Sequence, residues 1–147
     1  MGKDVYELRI DTSEAPERLG LVVRAEAGGE WTYSEPGWQP LSYGFVNGAF
    51  LIWSARRVII HRGPQVEPEL IETDNDPLCY VFSAPAGWLL VCEISVRLMA
   101  RAREVARLGL HDVVVTATFD DPTLYLSLFD GTKARIRVTG PTLQFEP

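Results

Sequence analysis

The sequence predicts an all-β, antiparallel protein built on an internal repeat, and three observations predict it. A short apolar pattern returns at a spacing of 37 residues, as Leu41-Ser-Tyr-Gly-Phe45, Leu78-Cys-Tyr-Val-Phe82 and Val115-Thr-Ala-Thr-Phe119. Each copy has a branched apolar residue first and Phe fifth, the alternation that turns one face of a strand inward. Each copy is also followed by a turn signal: Asn47-Gly48, Pro85-Ala86-Gly87 or Asp120-Asp121-Pro122. Gly and Asn tolerate positive φ and Pro presets a turn, so these positions close hairpins.

The elements follow in order. A second strand comes after each turn, at Phe50-Leu-Ile-Trp53, Trp88-Leu-Leu-Val91 and Leu124-Tyr-Leu-Ser-Leu128. A third follows, at Arg57-Val-Ile-Ile60, Val96-Arg-Leu-Met99 and Lys133-Ala-Arg-Ile-Arg-Val138, with Asp130-Gly131 as the last hairpin turn. The fourth element sets propensity against alignment. Arg101 to Leu108 favours a helix by composition. Its partner one repeat earlier, Arg62 to Leu70, contains Pro64 and Pro68, each of which interrupts a helix. Equivalent segments should share a conformation, so Glu69 to Thr73 and Val105 to Leu110 are expected as strands, with Ala100 to Leu108 extended. Further strands are expected at Val5 to Ile10, Leu21 to Ala25 and Glu30 to Ser34, with Gly28-Gly29 as the turn between the last two. Phe45, Phe82 and Phe119 are expected to be buried and equivalent.

Four short strands in just under forty residues is the size of one propeller blade. Over residues 41–139 the chain resembles β-propeller-type repeat proteins in period and strand pattern. The resemblance implies small or partial propeller-like packing. A β-sandwich accommodates the same hairpins and is the alternative. The Gly-His…Trp-Asp signature, the kelch double glycine and the calcium-binding nonapeptide are all missing from the sequence. The expected organisation is a single domain, 1–147, with an irregular first unit or cap at 1–40 and repeats at 41–77, 78–114 and 115–147.

A chain of 147 residues that is 46% apolar suits one domain with a real core. Its apolar runs are too short for a membrane helix. Lys3, Asp4 and Glu7 open the chain without the apolar stretch of a secretory signal, so the expected compartment is the cytoplasm. A net charge of −6 argues against nucleic acid, which needs a basic face to neutralise phosphates. Residues 1–40 carry eight acids against four bases, which would suit a basic partner or simply a solvated surface. Cys79 and Cys92 are expected as small buried apolar residues rather than a disulfide.

No catalytic set, metal site or cofactor is expected. His61 and His111 lie in different repeats, and lone histidines at strand ends are usually solvated. Asp74-Asn75-Asp76 lacks the Gly and Glu of a calcium loop and is expected as a turn before Pro77. Glu93 interrupts an apolar strand pair and is expected as a turn residue, equivalent to Ala55 and Phe129. No nucleophile elbow or nucleotide-binding glycine loop is present. Arg97, Arg101, Arg103 and Arg107 form a basic cluster, expected on the outward face of the third and fourth strands.

The segment from Glu30 to Pro40 packs two Trp, one Tyr, two Glu and two Pro into eleven residues. Prolines 36 and 40 predict a loop for its second half. Aromatic side chains beside acids make a protein-binding hot spot, a cap on the repeat array, or a sugar platform. Glu30, Trp31, Tyr33, Glu35 and Trp38 are therefore the candidate protein-binding residues. By elimination, the expected function is a protein-binding or scaffold module, such as the neutralising partner of a bacterial toxin or an assembly subunit, with another protein or a second copy of the chain as partner. The alternatives are a small-ligand or carbohydrate-binding protein, and an enzyme whose site is assembled from several repeats.

Overall fold

The computed structural model describes residues 6–15, 18–26, 28–36, 41–63, 65–73, 75–101 and 103–147. These residues form fifteen strands and no helix: β1 (Tyr6–Ala15), β2 (Arg18–Ala25), β3 (Glu30–Pro36), β4 (Ser42–Val46), β5 (Ala49–Trp53), β6 (Arg57–His61), β7 (Glu69–Glu72), β8 (Leu78–Ala84), β9 (Gly87–Cys92), β10 (Ser95–Ala100), β11 (Arg103–Gly109), β12 (Val114–Asp120), β13 (Thr123–Leu128), β14 (Lys133–Thr139) and β15 (Thr142–Glu146). They make four antiparallel meanders, β1-β2-β3, β4-β5-β6-β7, β8-β9-β10-β11 and β12-β13-β14-β15. No helix among the described residues is long and apolar enough to cross a membrane.

Turn chemistry fixes the hairpins. Asn47 (φ 49°) and Gly48 (φ 82°) both adopt the left-handed conformation that a tight β4–β5 turn demands. Gly28 and Gly29, each at φ 114°, join β2 to β3, and the Gly28 amide donates to the Ala25 carbonyl at 3.0 Å. At Gly87 the constraint is contact rather than torsion. A Cβ there would lie 1.9 Å from the Met99 carbonyl oxygen, so the β8–β9 turn can seat only glycine against β10. The segment of helical composition is a strand: β11 pairs with β10 from Ser95↔Gly109 to Ala100↔Arg103. Its alternate residues Ala106 and Leu108 pack on the core, and that pairing outweighs propensity. The expectation of a loop from Pro36 onward is corrected in part. β3 runs through Pro36, opposite Arg18, and β3 is an edge strand, where a missing N–H is tolerated.

The described chain divides into two compact units, 1–54 with 58–70, and 55–57 with 71–147. In the first, Leu21 and Val23 of β2 pack with Phe50 and Ile52 of β5, and Tyr6, Leu8, Trp31, Tyr33 and Leu41 close over them. In the second, Leu89, Val91, Val96 and Leu98 of the β8–β11 sheet pack with Val114, Leu124, Leu126, Leu128, Ile136 and Val138 of the β12–β15 sheet. Both sides come from alternate residues of their strands, which is how two sheets share one core.

The three phenylalanines differ from their expected uniform burial. Each lies on the first strand of its sheet, opposite Phe50, Leu89 and Leu124 respectively. Phe82 and Phe119 are half-buried against the core, with ring centroids 6.0 Å apart. Phe45 is 45% exposed on a strand that is open along most of its length, whereas Phe82 and Phe119, on strands that are equally edges of their sheets, pack on the core.

Backbone hydrogen bonds also tie the turns and strand ends of the second unit, and two of them, Leu78 to Ala55 and Val114 to Glu93, run from one sheet to the next. The Thr73 amide donates to the Arg56 carbonyl (2.8 Å) and the Leu110 amide to Ile94 (2.8 Å). Leu78 donates to Ala55 (2.7 Å) and Val114 to Glu93 (2.9 Å), while Glu93 donates to Pro77 (2.9 Å) and Phe129 to Val113 (2.8 Å). Ala55 and Glu93 each accept the first amide of the following sheet, and Glu93 and Phe129 each donate to the residue that precedes the first strand of their own sheet.

Candidate functional site

Three places gather chemistry: an aromatic box in the first unit, a buried polar network in the second, and a row of exposed apolar turn residues, also in the second.

The box forms around His61. The β4–β5–β6 register sets Phe45, Phe50 and His61 side by side on one face. The β2–β3 register sets Val23 beside Trp31 and Leu21 beside Tyr33. Around the imidazole stand Trp31 (ring centroids 4.8 Å away), Tyr6 (5.8 Å), Tyr33 (5.9 Å) and Phe50 (6.4 Å). Tyr6 stacks on Phe50 at 5.0 Å. The expectation that His61 is solvated is corrected: it is fully buried. Its Nε2 lies 3.2 Å from the Tyr33 hydroxyl, and its Nδ1 is buried with no hydrogen-bond partner among the described residues. Burial lowers its pKa from 6.5 to about 4, so the ring is neutral at physiological pH. His111 does match the solvated expectation. It is exposed and lies 3.0 Å from Asp130 and 3.1 Å from the Thr132 hydroxyl.

The β3 candidates divide by direction. Trp31 and Tyr33 point into the box and are half-buried, and the Trp31 indole lies over Gly29, whose added Cβ would sit 2.9 Å from it. Glu30 points outward and pairs with Arg24 at 3.1 Å. Glu35 is placed only by its backbone, opposite Leu19. Trp38 lies outside the described residues.

The polar network corrects two expectations. Asp76 is not merely a turn former, and Arg97 is not on an outward face: each is buried, as is Ser95. The Asp76 carboxylate accepts the Ile94 amide at 3.0 Å through Oδ1 and the Ser95 hydroxyl at 2.5 Å through Oδ2. Arg97 donates from Nε to the Ser95 hydroxyl at 3.2 Å, and lies 3.8 Å from Asp76 and 4.0 Å from Glu104. Glu104 is held in turn by Arg107 at 2.8 Å. Arg101 and Arg103 are exposed, as expected. Asp76 thereby spends its oxygens on protein donors, and among the described residues no three His, Cys, Asp or Glu side chains gather as a metal set.

Cys92 is buried and Cys79 half-buried, and both are free thiols. Burial, opposed by Arg97, pushes the Cys92 thiol up to about 12. Burial, then Glu93 and Asp76, raises Cys79. Both are therefore poor nucleophiles at neutral pH.

The exposed row joins the β9–β10 turn, the approach to β12 and the β13–β14 turn. Ile94 is 51% exposed, Val113 37% and Phe129 79%. They are neighbours through the backbone bonds Leu110 to Ile94, Val114 to Glu93 and Phe129 to Val113. Acids flank them. Asp112 accepts the Val113 amide at 2.8 Å and the Asp130 amide at 2.7 Å. The Thr132 hydroxyl and amide hold the Asp130 carboxyl below the usual carboxylate range, with help from His111. Glu93, on the same turn as Ile94, adds a third carboxylate. The row was legible as an apolar residue at three turn positions, where polar residues are the norm. No protein-family model matches the chain, and no curated protein matches it.

Proposed function

We propose that the protein is a protein-binding β module whose contact surface is the row Ile94, Val113 and Phe129. One observation carries the reading. A phenylalanine that is 79% exposed sits on a rigidly bonded turn, beside two further exposed apolar residues and inside an acidic rim of Glu93, Asp112 and Asp130. Exposed aromatic anchors within a charged rim are the composition of binding hot spots. The partner that fits is a protein with an apolar cleft edged by Lys or Arg, and the acids would speed encounter at low salt. Neutralising such a partner, or joining it in an assembly in the cytoplasm, are the roles this surface suits.

The architecture that presents the row is, in this reading, three copies of one four-strand unit packed in propeller fashion. The bonds that match pairwise among Ala55, Glu93 and Phe129 support that view.

Affinity capture with the wild-type protein and with Phe129→Ser tests the function. The expected outcome is a partner retained by the wild type, released by raised salt and lost with Phe129→Ser. The melting temperature should stay the same, since so exposed a side chain contributes within about 0.5 kcal/mol to stability. Identical retention by both proteins would remove the reading.

A further inference from the structure

The polar network borders a cleft of about 210 Å³ lined by Glu72, Leu90, Arg97, Met99, Glu104 and Arg107. That is smaller than the roughly 300–1,000 Å³ of sites for drug-sized ligands, so its occupant is small. Three of its walls differ in chemistry.

Arg97 is 5% exposed, yet only its Nε makes a hydrogen bond, at 3.2 Å to Ser95. Asp76 stands 3.8 Å from one terminal nitrogen and Glu104 4.0 Å from Nε, both beyond hydrogen-bond length. Among the described residues the terminal N–H groups therefore have no acceptor at bonding distance. Arg97 lines the cleft, and a planar guanidinium fork without a protein acceptor there, among the described residues, is matched by a carboxylate. Glu72 is exposed, and its carboxylate has no partner among the described residues. Glu104 differs, being held by Arg107. Leu90 and Met99 are buried and supply an apolar wall. The charged groups of the cluster, Asp76, Arg97, Glu72, Glu104 and Arg107, total one net negative charge, which disfavours a bare anion.

We propose that this cleft binds a free α-amino acid with an apolar side chain. The carboxylate lies on the Arg97 fork, the ammonium faces Glu72, and the side chain rests on Leu90 and Met99. Each contact has its own deletion on the ligand side, so the site can be dissected without unfolding the protein.

The test is titration of the full chain by calorimetry and by amide chemical shifts with L-leucine, N-acetyl-leucine, leucinamide and inorganic phosphate. L-leucine is expected to bind saturably, with shifts centred on Leu90, Arg97 and Met99. Loss of the ammonium or of the carboxylate should each weaken binding at least about tenfold, the equivalent of one good charged contact. Glu72→Gln should weaken L-leucine by a similar factor and leave the melting temperature unchanged, since Glu72 is exposed. Arg97→Lys should also weaken it, and Glu72→Gln keeps the test decisive if the buried position does not tolerate lysine. No saturable response to L-leucine, equal binding of phosphate or N-acetyl-leucine, or indifference to Glu72→Gln would each overturn the proposal.

Discussion

The β8–β11 and β12–β15 sheets are meanders of the same length and pairing, yet one is buried through its central strands on both faces and the other on one. In β9 every residue from Trp88 to Cys92 is buried, and in β10 every residue from Ser95 to Met99. In β13 and β14 burial alternates: Leu124, Leu126, Leu128, Ile136 and Val138 face the core, while Tyr125, Arg135 and Arg137 face outward. The difference is written in the strands. Trp-Leu-Leu-Val-Cys is apolar throughout, whereas Leu-Tyr-Leu-Ser-Leu alternates, and a strand buried on both faces needs the first pattern. The instructive exception is arginine. Val96-Arg97-Leu98 and Ile136-Arg137-Val138 have the same alternation, but Arg97 is buried and Arg137 exposed. A charge can occupy a two-faced strand only with partners, and Asp76, Ser95 and Glu104 are those partners.

Removing a partner is the strongest way to break the contrast. Asp76→Ala leaves Arg97 buried without its carboxylate and should cost about 3–5 kcal/mol in urea denaturation. A loss below about 1 kcal/mol would mean that the network is solvated and the β8–β11 sheet is not two-faced at this point.

The same contrast returns in the two histidines and can be sharpened by pH. The unfolded chain protonates His61 near 6.5, whereas the folded chain resists protonation down to about 4. Between those values the unfolded state binds more protons, so stability is full above pH 6.5 and is lost as the pH falls. The loss attributable to His61 is roughly 3 kcal/mol by pH 4, at 1.36 kcal/mol for each pKa unit. His61→Gln should flatten this part of the stability profile, and His111→Gln, at an exposed site, should leave it in place. Chemical denaturation at a series of pH values, with both variants, measures the difference.

The smallest effects belong to the open face of the last sheet. Tyr125→Ala and Arg137→Ala should each change stability by no more than about 0.5 kcal/mol, where Leu90→Ala in the two-faced sheet should lose about 2–5 kcal/mol. Equal losses at Tyr125 and Leu90 would show that the outer face of the β12–β15 sheet is covered.

Local chemistry made much of this fold legible. Asn47-Gly48, Gly28-Gly29 and Asp130-Gly131 announce their turns because their backbone conformations are set by the residues themselves. The extended form of β11 was legible only by aligning it with a segment broken by proline, since its own composition favours a helix. The polar interior was not legible, because it depends on partners far apart in sequence. Ser95 meets Asp76 across 19 positions, and Tyr33 meets His61 across 28. Nothing near His61 in sequence indicates that an aromatic box will close over it. The β3 candidates were half legible: aromatic and acidic character showed, but which side chains turn inward follows from the β2 register. The exposure of Phe45 has a related reason: all three phenylalanines lie on edge strands, and strand pattern does not reveal which of those edges the core covers.

The backbone bonds between sheets have a consequence for isotope exchange. Turn tips ordinarily give up their amide protons first, because nothing holds them closed. Here the Val114 amide is donated to the Glu93 carbonyl in the β9–β10 turn of the neighbouring sheet, while Leu110 and Phe129 donate to Ile94 and Val113 at the ends of their own sheets. The Val114 bond cannot open as a frayed loop does, because releasing it means parting two sheets that share a core. In deuterated water the Val114 amide should keep its proton nearly as long as those of β9 and β13. The part of the molecule that looks most like a set of loose ends would then be its most durable seam, and a partner gripping Phe129 would be pulling on a stitched edge.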